Sequence, residues 1–291
     1  MNFTQKGANK LSKKRKIISA VIFAFIFASL IVGSIMTASS EPKEESVREV
    51  MRDAVLHESG KISLFGLIDV NPGLISAYIV SGVIILFCII VRIFVIPKFT
   101  FRPGKFQYIL ERGVGLFTGL AKENSAHKSH FIGGYIFAAG LYIAISTIFE
   151  LFGIQVTTTA GHSLSLPAPL SDINGAIAMG VFSYGVILFG GLINNGLKGM
   201  GNALKDFSLP ISMSFRLFGA LLSGALVTEL VYYYGATSYG IPVFVGLMFT
   251  ILHAVIQAYV LTMLVSIFYG ESSEKKEKKP KKSKNSKVKE A

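Results

Sequence analysis

Tryptophan is absent from this 291-residue chain, cysteine occurs once, and charge is scarce, with Asp, Glu, Lys and Arg making up 16%. A soluble domain carries about 25% charge, so a soluble globular fold is excluded. The lone Cys88 rules out an intramolecular disulfide and any cysteine-based metal cluster. It sits in an apolar run, where a thiol behaves as a small apolar group. Acid is scarcer than base, 17 Asp and Glu against 29 Lys and Arg, for a net charge of +12. No glycine-rich phosphate loop, His/Cys metal spacing or Ser-His-Asp spacing is present, so no cofactor or metal is expected and the chain is not read as an enzyme by itself. His127 and His130, in HKSH, lie in a basic loop and read as solvated.

What is abundant is apolar sequence, 51% of the residues, gathered into six blocks at roughly 17–38, 74–96, 131–152, 173–193, 209–234 and 241–269. Each meets or approaches the ~20 residues that a helix needs to cross hydrocarbon. The fold expected is an all-α integral membrane protein with five core transmembrane helices and an extra N-terminal hydrophobic segment. That first segment has two readings, an uncleaved helix or a secretory signal, because a basic start and small residues surround its apolar middle.

The basic residues concentrate at the ends, with six in the first 16 positions and nine lysines in KKEKKPKKSKNSKVKEA. With the N-terminus inside, the segments 1–16, 97–130, 194–208 and 270–291 hold 23 of the 29 Lys and Arg. The segments on the other side hold four, all in 39–73. This asymmetry follows the positive-inside rule, placing the C-terminus in the cytoplasm of a cell whose plasma membrane the chain crosses several times. Basic ends beside apolar blocks touch anionic lipid in preference to nucleic acid.

Four regions follow. Residues 1–40 form the basic N-terminus and hydrophobic segment. Residues 41–73 form an extracytoplasmic stretch, in which Val47, Val50, Met51, Ala54 and Val55 recur at helical spacing as a short amphipathic helix. Residues 74–270 form the membrane domain, and 271–291 a disordered Lys-rich tail. The last two blocks are joined by only GATSYG, so they predict a long, tilted helical hairpin over about 209–269.

Ionisable groups within a membrane need a reason. Arg216 lies in ISMSFRLFGALLSGALV, and at 100° per residue it shares a face with Ala220, Ser223, Gly224 and Val227. One reading is a snorkelling side chain near the inner end. The other is a permanent cation on a small-residue face that lets a partner come close and keeps its carboxyl ionised. Glu229 is about 220° round from Arg216, and reads either as an interfacial glutamate or as an ion relay. His253 and Gln257, four apart, share a face, where a lone histidine can equally be a hydrogen-bonded core residue. Glu150, Asp172 and Asn174 lie near the outer ends of their blocks, where solvent contact alone accounts for them.

With these residues in view, SFRLFGALLSG resembles the arginine-bearing motif of subunit a of F-type ATP synthases. RPGKFQYILE, IFELFGI, SDINGAIA and IQAYVLTMLVSIFY follow in that family's order, and the resemblance covers about residues 70–270. It implies a proton-translocating stator subunit, with Na⁺ as the other ion, standing beside a ring of c subunits and held by the subunit b stator and the rest of the complex. Arg216 would separate two ion half-channels. Gln257 matches the glutamine that packs near that arginine, and Asp172, Asn174, Glu229 and His253 would belong to the outer half-channel.

Two positions depart from the family pattern, Ala220 for an asparagine and Ala225 for a glutamate. Glu229, one turn beyond Ala225, is expected to take over the carboxylate's role. Thr250 stands where the family often has an ionisable group, and His253 is its expected substitute. A secondary ion-coupled transporter with a buried Arg/Glu site is the alternative, but it calls for repeated halves and broken helices that the sequence does not display.

Overall fold

Three of the long helices begin where the sequence supplies proline as a start signal. In a computed structural model of the chain, the described residues are 2–38, 46–49, 52, 62–64, 68–125, 129–157, 163–234 and 239–273. The helices are α1 (Asn2–Ala38), α2 (Pro72–Ile90), α3 (Lys105–Asn124), α4 (Ser129–Phe149), α5 (Ile173–Leu204), α6 (Ser208–Tyr233) and α7 (Ile241–Ser273). Proline opens α2, and the Asn71 side-chain oxygen accepts from the Gly73 N–H at 3.3 Å, an N-cap followed by proline at the first helical position. Pro210 and Pro242 fall in the first turns of α6 and α7, where a missing N–H leaves no bond unmade.

Five helices are long and apolar enough to cross a membrane, in Pro72–Lys98, His130–Phe152, Ile173–Leu204, Ser208–Tyr233 and Ile241–Ser273. These are the five expected core spans, and the protein is an all-α membrane protein. The N-terminal segment is helical too, but its apolar part, Ile17–Gly33, is shorter than the five. The hairpin helices run to 26 and 33 residues. At 1.5 Å per residue they are about 39 and 50 Å long, more than the ~30 Å hydrocarbon core.

Of the expected amphipathic segment, most lies outside the described residues. Its start is visible: the Glu49 N–H donates to Ser46 Oγ and the Ser46 N–H to Glu49 Oε2, both at 3.3 Å. This reciprocal pair is a capping box. The lysine tail beyond Ser273 also lies outside them.

Two small antiparallel hairpins appear that the apolar blocks did not signal. β1 (Ile62–Leu64) pairs with β2 (Ile68–Val70), and β3 (Gln155–Thr157) with β4 (Ser163–Ser165). Helix α3, in a segment read only as a connection, is a further addition.

The chain divides into two compact units. The first takes in Met1–Ile79, Ser146–Asp172 and Phe218–Ala254. The second takes in Val80–Ile145, Ile173–Leu217 and Val255–Ala291. In the first, Phe149, Leu166, Leu170, Leu221 and Ala254 are buried. The end of α4 tightens into a single 3₁₀ turn, Glu150–Phe152, and stops at Gly153, whose left-handed φ of 52° a side chain would strain.

The second unit packs through small residues. Gly180 of α5 lies so close to α6 that an added Cβ would stand 2.8 Å from the Pro210 carbonyl oxygen. Gly190 presses on the Tyr269 ring, where a Cβ would come within 2.8 Å of Cζ. Close approach of this kind is how helices associate where lipid removes the hydrophobic drive. Hydroxyls are satisfied inside their own helices: Ser214 Oγ donates to the Pro210 carbonyl at 2.6 Å and Thr262 Oγ1 to Ala258 at 2.7 Å. Others tie helices together. Tyr135 and Ser183 share a hydrogen bond of 2.8 Å, and Ser266 Oγ donates to the Leu120 carbonyl of α3 at 3.0 Å. Helix α5 outruns its apolar block because Gly196, at φ 62° and ψ −151°, lets it kink and continue.

Candidate functional site

Helical spacing on α6 and α7 builds a polar-lined cavity inside the first unit. On α6, Leu221, Gly224, Thr228 and Tyr232 recur at intervals of three and four and so share a face. On α7, Gly246, Thr250 and His253 do the same. The two faces approach through glycine. An added Cβ on Gly224 would meet His253 Nδ1 at 3.7 Å, and one on Gly246 would meet Thr228 Oγ1 at 4.0 Å. Between them, with Glu150 at the end of α4, lies a cavity of about 310 Å³. Its lining combines one carboxyl (Glu150), one imidazole (His253) and three hydroxyls (Thr228, Tyr232 and Thr250). Thr228 Oγ1 donates to the Gly224 carbonyl at 2.9 Å, which leaves its lone pairs for a second partner.

A cavity this size, with five polar side chains, has room and partners for ordered water. Carboxyl, imidazole and hydroxyl are the groups that pass protons along such a chain.

The expected site residues distribute as follows. His253 lines this cavity and stacks beside Phe249, ring centroids 5.8 Å apart. Glu229, half-buried on α6, follows the cavity-lining Thr228 in sequence, about 100° round the helix. Asp172, also in the first unit, packs at the start of α2, where a Cβ on Gly73 would lie 3.0 Å from its Cβ.

The other three belong to the second unit. Asn174 is exposed near the start of α5. Gln257 is buried at 7% exposure, and its Oε1 has no hydrogen-bond partner among the described residues. Arg216 is exposed on α6 between the buried Met213 and Leu217, and no ion pair or hydrogen bond holds it among the described residues.

Sequence reasoning did not single out Glu150 or Thr228 as cavity residues. The signal was present in part, since Gly246, Thr250 and His253 fall on one helical stripe. No group of three or more His, Cys, Asp or Glu suited to a metal occurs among the described residues.

Residues 75–270 match the family described as ATP synthase A chain. A relative from Haemophilus ducreyi, ATP synthase subunit a, is 26% identical over 200 residues, covering 57% of this chain and 75% of its own length. The chain thus belongs to the ATP synthase A chain family, as a multi-pass membrane subunit that takes part in ion translocation within the ATP synthase complex and is not itself the catalyst.

Proposed function

We propose that this chain is the stator subunit a of a rotary F-type ATP synthase, and that Arg216 separates two proton half-channels at a ring of c subunits. The observation that carries this reading is Arg216 itself. It is an exposed guanidinium in a 26-residue apolar helix, with no internal counter-charge among the described residues. A charge in mid-membrane costs about 2.5–3.5 kcal/mol on insertion scales, so its retention points to a partner outside this chain. The small residues on its face, Ala220 and Ser223, let such a partner approach.

A guanidinium keeps its proton at any accessible pH and therefore does not relay one. It favours the ionised form of a carboxyl passing beside it. A ring carboxyl meeting Arg216 gives up its proton to one half-channel, passes as a carboxylate, and takes a proton from the other. Without the cation the two half-channels are no longer separated, and ions cross between them without turning the ring. The Glu150–His253 cavity supplies part of the outer half-channel, together with Asp172, Asn174 and Glu229, the last standing in for the family carboxylate absent at Ala225. Gln257 supports the arginine. Subunit b and the c ring are the partners, the membrane is a bacterial plasma membrane, and the C-terminus is cytoplasmic, in keeping with the lysine asymmetry.

The test replaces Arg216 by Ala in the complete enzyme reconstituted into vesicles. ATP-driven proton pumping should fall to background while the c ring and stator copurify in normal amounts. Pumping at the unaltered rate would overturn the assignment.

A further inference from the structure

The second unit contains a larger cavity with different chemistry. It encloses about 600 Å³ beside the end of α2, between that helix, α3 and α4. Its walls include Phe87, Cys88, Leu110, Phe137 and Leu141, and its charged members are Arg92 and Glu111. The helix changes form here. Val91–Val95 widens into a π turn and Ile96–Lys98 tightens into a 3₁₀ turn around Pro97, which has no N–H to continue the α-helical ladder.

On α3, Gly115 lines the cavity, and an added Cβ there would meet nothing within 4 Å.

Two features identify what fits. The apolar window of the α2 span is 6% buried, against 22–44% in the other four, so this chain covers little of it. At ~30 Å³ per water-sized group, the cavity holds about 20 such groups. That volume suits a flexible chain and is too narrow for a helix about 10–12 Å across.

Charge decides the head. Glu111 is already engaged, accepting from Gln107 Nε2 at 2.7 Å. Gln107 in turn clasps the α2–α3 connection: its Nε2 donates to the Thr100 carbonyl at 3.0 Å and its Oε1 accepts from the Thr100 N–H at 3.2 Å. Arg92 has no hydrogen bond or ion pair among the described residues, and Lys98, Arg102 and Lys105 follow it in sequence. Apolar walls with the unpaired Arg92 guanidinium among them are complementary to an anionic phospholipid.

We infer that this cavity binds an anionic phospholipid, one acyl chain lying against Cys88 and Gly115 and the phosphate at Arg92. The site is independent of the ion path and does not rest on the role given to Arg216.

Cys88, the chain's one thiol, reports on occupancy. The complete ATP synthase is stripped of lipid in mild detergent, and alkylation of Cys88 by N-ethylmaleimide is followed by mass spectrometry of its peptide. Added phosphatidylglycerol should slow the reaction about tenfold, and phosphatidylcholine should need severalfold more lipid for the same effect. Arg92→Gln should abolish the difference between the two lipids while leaving protection by both. Gly115→Leu, which fills the space, should make the rate insensitive to either lipid. Equal potency of the two lipids on the unaltered enzyme would overturn the anionic assignment. Alkylation unaffected by both would overturn the lipid site. A Cys88 that becomes reactive only when another subunit is dissociated would show a polypeptide in the cavity, and also overturn it.

Discussion

Glycines at two helix contacts, one in each unit, do opposite work. In the second unit Gly180 and Gly190 stand where a methyl would come within 2.8 Å of a neighbour, so helices touch and nothing lies between them. On the α6–α7 wall of the first unit, Gly224 and Gly246 have 3.7 and 4.0 Å, and a polar cavity opens beside them. The same residue type seals one region and hollows the other. What differs is the side chain opposite: a serine bonded back to its own helix or a tyrosine ring at the sealed contact, an imidazole and a threonine hydroxyl at the open one.

The largest effect should come from forcing the two kinds of glycine to behave alike. Gly190→Leu drives four carbons into the Tyr269 ring, and overpacking of this kind costs typically 1–3 kcal/mol. The amount of subunit recovered in assembled complex should drop severalfold. Gly224→Ala adds one methyl at ordinary contact distance from His253 and Phe249, so assembly should stay normal. Blue native electrophoresis of membranes distinguishes the outcomes, and equal assembly of the two variants would remove the distinction between the units.

Next come the polar groups of the cavity. If it carries protons, Glu150→Gln should slow ATP-driven pumping on the order of tenfold, equivalent to about 1.4 kcal/mol in the barrier. His253→Ala should do likewise, with assembly unchanged. Glu229→Gln tests the separate proposal that this carboxylate replaces the one missing at Ala225. Pumping at the unaltered rate in that variant would sink it. Matching losses at Glu150 and Glu229 would place both in one path.

Much of this was open to sequence reasoning and some was not. The five spans announce themselves because hydrocarbon demands ~20 apolar residues whatever surrounds them. Arg216 stands out for the same reason, a charge against an apolar background. Helix α3 was missed because an amphipathic helix on one side of a span mixes Phe106 and Ile109 with Lys105 and Glu111, and reads as a polar connection. The β3–β4 hairpin was missed because three-residue strands carry too little alternation to register. Glu150 was seen but set down to solvent contact. Its place in the cavity depends on Gly153 ending α4 there and on two stripes of α6 and α7 meeting, a tertiary fact that no single segment contains.

A smaller effect is expected at Gln257. Its buried Oε1 lacks a partner, which costs on the order of 1–3 kcal/mol. Gln257→Met keeps the volume and removes the unpaired oxygen. Heat resistance of the complex should rise, and pumping should fall if the amide supports Arg216. Higher stability with unchanged pumping would mark the glutamine as a packing residue alone.

The smallest effect compares two hydroxyls making the same bond. Ser214 Oγ donates to the Pro210 carbonyl at 2.6 Å at the sealed α5–α6 contact, and Thr228 Oγ1 donates to the Gly224 carbonyl at 2.9 Å beside the cavity. Such hydroxyls contribute about 0.6 kcal/mol on average within membranes, so Ser214→Ala and Thr228→Val should lower thermal stability slightly and alike. Only one should touch transport. Ser214 faces Gly180 with no space for water, whereas Thr228 offers its lone pairs to the cavity. Thr228→Val should therefore slow pumping severalfold while Ser214→Ala leaves it unchanged. If both slow it equally, the hydroxyls act through helix geometry and the cavity is not the path.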